Sequence, residues 1–88
     1  MQVEFSPAFL RDLKHIKDAA LLQMVKQAII DLEQARDLHD LPGLKRLHSE
    51  GPYYRLRVGD YRLGILAKGS ALILVRCMHR KDIYRYFP

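Results

Sequence analysis

Tyr53-Tyr54-Arg55-Leu56-Arg57-Val58-Gly59-Asp60-Tyr61-Arg62-Leu63-Gly64-Ile65-Leu66-Ala67 decides how the second half of this 88-residue chain folds. Tyr53 to Val58 and Tyr61 to Ala67 each alternate as strands do, and Gly59-Asp60 between them is a two-residue hairpin signal. That turn pairs Val58 with Tyr61, Arg57 with Arg62, and Arg55 with Gly64. Successive strand side chains point to opposite faces. One face therefore carries Tyr54, Leu56, Val58, Tyr61, Leu63 and Ile65 and suits packing against helices. The other carries Tyr53, Arg55, Arg57 and Arg62. Like charges placed directly across a ladder are unfavourable. An anion bound between Arg57 and Arg62, or full exposure to water, would offset that cost.

Downstream, a plain three-residue turn at Lys68-Gly69-Ser70 leads into the apolar strand Ala71 to Cys77. In that register Arg62 faces Arg76, and Leu66, Leu72 and Leu74 share the arginine face. The leucines then need a cover, either the chain's own tail or a partner helix. A bulge would instead move Arg76 into the other layer. The tail, Arg80 to Phe87, has room for two helical turns, which would put Arg80 and Tyr84 on one face.

Upstream, Gln2 to Phe5 reads as a short strand and Ser6-Pro7 as a helix start, with a capping residue followed by proline. Phe9, Leu10, Leu13 and Ile16 recur at helical spacing, predicting a helix over 7–17. Asp18 caps a second, about 19–37, with Leu21, Leu22, Val25, Ala28, Ile29 and Leu32 on one stripe. Pro42-Gly43 marks a loop, Leu44 to His48 a short edge strand, and Ser49-Glu50-Gly51-Pro52 a turn. The expected fold is α+β. A short N-terminal strand and an antiparallel helix pair precede an antiparallel meander sheet with a short C-terminal helix. One domain spans residues 1–88, since domains commonly run about 100–150 residues and rarely split below that.

The charge is unevenly distributed. Residues 1–44 carry five Lys/Arg and seven Asp/Glu, net −2, whereas residues 45–88 carry ten and three, net +7. Seven of those ten are arginines, whose planar forks suit phosphate. Concentrated basic charge on a small domain points to nucleic acid. Other classes find no support. The longest apolar run, Ala71 to Val75, is far below the roughly 18 residues of a membrane span. The start lacks the basic and apolar regions of a secretory signal. A single cysteine, Cys77, excludes an intramolecular disulfide and fits a reducing, cytoplasmic setting. His15, His39, His48 and His79 show no ligand spacing, so neither a metal nor another cofactor is expected.

A chemical role can be read for the tail. Guanidiniums around a phenol favour its phenolate. Tyr84 could take a proton from a ribose 2′-OH while arginines stabilise the pentavalent phosphate. His79 is an alternative acid or base. Spacing alone equally allows Tyr84 to be an aromatic that anchors the tail helix.

Four segments together resemble the RelE/ParE toxin superfamily. They are Phe5-Ser6-Pro7-Ala8-Phe9-Leu10-Arg11-Asp12-Leu13, Pro42-Gly43-Leu44-Lys45-Arg46-Leu47, the hairpin from Tyr54 to Leu63, and Val75-Arg76-Cys77-Met78-His79-Arg80-Lys81-Asp82-Ile83-Tyr84-Arg85. The resemblance implies a microbial-RNase-like toxin fold and a type II toxin–antitoxin system. Its RelE-like branch implies metal-independent mRNA cleavage on the ribosome, by 2′-OH attack on the adjacent phosphate. By that resemblance Arg55 and Arg57 neutralise the RNA backbone, and Arg76 extends the row if the register allows. Arg62 stabilises the phosphate. Arg80 stabilises the transition state or protonates the leaving group, and Tyr84 orients or deprotonates the 2′-OH. The branch's best-known member has lysines where Arg55 and Arg57 stand, and a longer segment between the positions of Arg80 and Tyr84.

The implied partner is a cognate antitoxin, an acidic amphipathic helix or strand forming a hetero-oligomer with the toxin. No membrane partner is implied. Two other functions fit the same features: a ParE-like inhibitor of DNA gyrase that cleaves nothing, and a basic RNA-binding module without catalysis.

Overall fold

Ser6 joins the first two elements and ties both to the far end of the chain. In the computed structural model, which describes residues 1–47 and 51–88, strand β1 (Gln2–Phe5) ends at Ser6 and helix α1 (Pro7–Lys14) begins there. The Ser6 Oγ accepts from the Phe9 N–H at 3.0 Å, capping α1 in the expected way. Helix α2 (Ala19–Gln34) is capped by Asp18, whose Oδ1 accepts from the Ala20 and Leu21 amides.

Both helices are shorter than their apolar periodicity predicts, because caps compete with helix. The chain must leave α1 after Lys14 to bring Asp18 into extended geometry (φ −81°, ψ 110°). Ala35 is already extended, and Asp37 caps a separate 3-10 turn at Leu38–Asp40.

Four more strands follow: β2 (Leu44–Arg46), β3 (Tyr53–Val58), β4 (Tyr61–Lys68) and β5 (Ala71–His79), then the one-turn helix α3 (Ile83–Tyr86). The expected edge strand Leu44 to His48 is observed as Leu44–Arg46. His48, and the Ser49-Glu50 part of the expected turn, lie outside the described residues. The strands form one sheet in the order β1-β5-β4-β3-β2. The meander is antiparallel as expected, but β1 adds to β5 in parallel and makes the sheet mixed.

The hairpin register is as the sequence predicts: Val58 with Tyr61, Arg57 with Arg62, Arg55 with Gly64. Gly59 takes φ +58° and Asp60 stays negative, the II′ pattern that matches strand twist.

The β4–β5 register differs from expectation. The turn has two central residues, Gly69-Ser70, with Lys68 paired to Ala71. This one-residue change turns Leu72 and Leu74 from the arginine face into the helix layer, where they are 1% and 0% exposed. A bulge between Gly64 and Ile65 then shifts the ladder again, so that Gly64 faces Arg76, Arg62 faces Met78, and Val75 has no partner across β4. Ser6 completes the bulge: its Oγ donates to the Val75 carbonyl at 2.7 Å, and its N–H to the Leu74 carbonyl at 3.0 Å.

The main core lies between α1, α2 and one sheet face, uniting Phe9, Val25 and Leu32 with Leu56, Leu63, Ile65, Leu72 and Leu74. The opposite face carries the arginines and α3. The tail itself therefore covers the apolar part of that face, with Ile83 and Phe87 buried there.

Candidate nucleic-acid interface

The arginine face opens into a cleft of about 570 Å³ lined by Gly43, Lys45, Arg55, Arg57, Arg62, Arg80, Lys81 and Tyr84. Strand pairing builds its floor. Lys45 of β2 is opposite Arg55 of β3, and Arg57 is opposite Arg62 of β4. Like charges across a ladder are unfavourable, and here Arg57 is exposed while the half-buried Arg62 finds backbone carbonyl partners. A multivalent anion in the same cleft would meet all six cations at once.

Arg62 and Arg80 are held by the hairpin turn. The Arg62 guanidinium donates from Nη1 to the Gly59 and Tyr61 carbonyls, both at 2.9 Å. The Arg80 N–H donates to the Asp60 carbonyl at 2.8 Å, and its Nε lies 4.0 Å from the Asp60 carboxylate. Arg80 precedes α3 rather than sitting within it, so a turn and not helical spacing brings it to the cleft with Tyr84. Tyr84 is 70% exposed, and its ring lies beneath the Arg55 guanidinium, 4.6 Å from carbon to ring centroid.

Two residues singled out in the sequence are not brought into the cleft. His79 pairs across the ladder with Tyr61 on the helix-layer face, in an edge-on ring contact at 5.7 Å. Its Nδ1 accepts from the Lys81 amide at 3.1 Å. Arg76 is drawn to the sheet edge by Asp12 of α1, with Nε and Nη2 donating to its two carboxylate oxygens at 2.8 and 3.0 Å. This hydrogen bonding pushes the Arg76 guanidinium further toward its charged form. Asp12 also accepts from the Cys77 amide at 2.9 Å. Burial pushes the Cys77 thiol up to about 12, with the Asp12 charge adding, so the thiol is held neutral.

Lys45 and Lys81 line the cleft but were not singled out from the sequence. Pairing β2 against β3 could have found Lys45, since it falls directly across from Arg55. No periodic signal marks Lys81, which lies in an irregular turn.

The chain as a whole is similar to known proteins. The family model for the ParE toxin of the type II toxin–antitoxin system parDE matches residues 3–84. The toxin RelE3 of Methanocaldococcus jannaschii is 39% identical over 89 residues, covering 100% of both chains. Among solved structures, the RelB–RelE antitoxin–toxin complex from Methanococcus jannaschii superposes with a TM-score of 0.81 at 35% identity, over 97% of this chain and 99% of that one. The YoeB dimer of Staphylococcus aureus shares the fold, with a TM-score of 0.73 at 18% identity over 91% and 97% of the two chains. The chain is a member of the RelE/ParE toxins of type II toxin–antitoxin systems.

Proposed function

We propose that the whole chain, residues 1–88, acts as one toxin domain that cleaves mRNA on the ribosome in the cytoplasm, without a metal ion. The observation that carries this reading is the gathering of six cationic side chains and the exposed Tyr84 into one cleft. Arg55, Arg57 and Lys45 hold the RNA backbone. Tyr84 orients the attacking 2′-OH and accepts its proton as the O2′–P bond forms and the P–O5′ bond breaks. Arg62 and Arg80 stabilise the charge on the pentavalent phosphate, where preorganised donors contribute most. The leaving O5′ takes up a proton from water and Tyr84 passes the proton it accepted to solvent, so the products are a 2′,3′-cyclic phosphate and a 5′-hydroxyl. A cognate antitoxin, by analogy with the RelB–RelE complex, binds this chain as an acidic amphipathic segment.

A ribosome-programmed mRNA cleavage assay tests the reading. Arg80→Ala and Tyr84→Phe should each lower kcat by about 10²–10⁴-fold, the range for a positioned proton-transfer or charge-stabilising group. The match to the ParE toxin model favours a second reading, inhibition of DNA gyrase without cleavage. Intact mRNA together with stalled gyrase would establish that reading instead.

A further inference from the structure

Tyr84 reaches the cleft from a helix of only four residues, Ile83–Tyr86, far too short to hold its own shape in water. Its orientation must come from what it touches, and its contacts fall on three sides. Ile83 and Phe87, one helical turn apart, are 0% and 4% exposed and face the sheet. Tyr84 projects toward Arg55 on one flank, and Tyr86 projects toward Arg76 on the other, 5.2 Å from ring centroid to guanidinium carbon.

The seat beneath Phe87 is built by an absence. A Cβ at Gly64 would lie 2.6, 2.7 and 2.8 Å from three carbons of the Phe87 ring, closer than such atoms ever approach. Gly64 has an ordinary backbone conformation, with no positive φ. Its missing side chain therefore serves the ring that rests on it. Tyr53 closes the seat edge-on, with ring centroids 5.5 Å apart at 84°.

The flank is fixed separately. Arg76 is the residue next to the β5 bulge, and Asp12 holds its guanidinium from α1 with both carboxylate oxygens. The guanidinium side chain is only 23% exposed and that of Asp12 14%. A charge anchored in this way presents a fixed surface to Tyr86. The family match ends at residue 84, so Tyr86 and Phe87 lie beyond it.

We propose that Gly64, Phe87 and Arg76 are positioning residues: the Phe87 seat on Gly64 and the Asp12-held Arg76 under Tyr86 lock α3 so that Tyr84 lies against Arg55 in the cleft. This rests on the cleavage reading for its catalytic consequence, but not for its structural one.

Two measurements on the full-length chain separate the two. The first is the nuclear Overhauser contact between the Arg55 side chain and the Tyr84 ring, with hydrogen exchange at the Phe87 amide, which donates to Ile83. Both should be present in the unaltered chain. Both should be lost in Gly64→Ala, Phe87→Ala and Arg76→Gln, while core β4 amides stay protected. A persisting Arg55–Tyr84 contact in these variants, or its absence from the unaltered chain, overturns the proposal whether or not RNA is cut. The second is cleavage. Each variant should lose kcat by about 10²-fold, as expected for a small misplacement of a reacting group, with KM unchanged.

Gly64→Ala combined with Phe87→Ala should be no slower than Phe87→Ala alone, because the added methyl then meets no ring. Full additivity, or unchanged kcat with a freed tail, overturns the positioning role. Should Gly64→Ala fail to fold, Arg76→Gln and Phe87→Leu carry the same test. A chain that cuts no RNA refutes the cleavage reading alone, and the Overhauser result still decides the lock.

Discussion

At the scale of single residues, the same side-chain type does different work depending on its neighbours. Arg76 and Arg62 both arise on the arginine face, yet Asp12 claims one while hairpin carbonyls turn the other into the cleft. Cys77 illustrates burial in the same way. It is 2% exposed, and its thiol is pushed up to about 12. At pH 8 the folded chain should therefore react with a disulfide reagent orders of magnitude more slowly than the urea-unfolded chain; equal rates would contradict the burial. The linkage has a definite sign. The unfolded thiol loses its proton near its ordinary value of about 8.5 while the folded one keeps it. Stability from this group is thus complete below about 8.5 and declines as pH rises toward about 12. An alkaline unfolding series on a Cys77→Ala chain should show a shallower decline.

At the scale of elements, Ser6 is the joint between α1 and the β5 bulge, because one hydroxyl accepts from Phe9 and donates to Val75. Ser6→Ala removes both bonds and should lower stability by about 1–2 kcal/mol in urea unfolding. No loss of stability would mean that water replaces the hydroxyl at no cost. This joint also explains what the sequence could and could not reveal. The β3–β4 register was legible because Gly59-Asp60 fixes the pairing locally, and the register of the hairpin puts Arg55, Arg57 and Arg62 on one face. The β5 register was not, because the bulge is held by a residue far away in the chain, and the Gly69-Ser70 turn sets Leu72 and Leu74 into the core. Helix ends were overrun where Asp18 and Asp37 impose extended geometry. Arg80 and Tyr84 do line one cleft, but through a turn that no helical period encodes.

At the scale of the whole molecule, helices α1 and α2 pack on one face of the sheet while the cleft cations and α3 occupy the other. The acidic first half supplies the packing layer, and the net +7 of residues 45–88 falls on the meander and tail. Six cations line the cleft. If all contact phosphates, binding of a non-cleavable single-stranded RNA should weaken with salt at a logarithmic slope of about −4, from about 0.7 per contact. A slope near −1 would leave most of these side chains without a phosphate. The charge alone, however, does not distinguish binding from chemistry. In the proposed mechanism Tyr84 and Arg80 drive attack by the ribose 2′-OH, and a single atom tests it. Replacing the nucleotide on the 5′ side of the scissile bond with its 2′-deoxy form, in an otherwise identical mRNA, should abolish cleavage there while leaving binding intact. Cleavage that persists at the substituted position would contradict the mechanism.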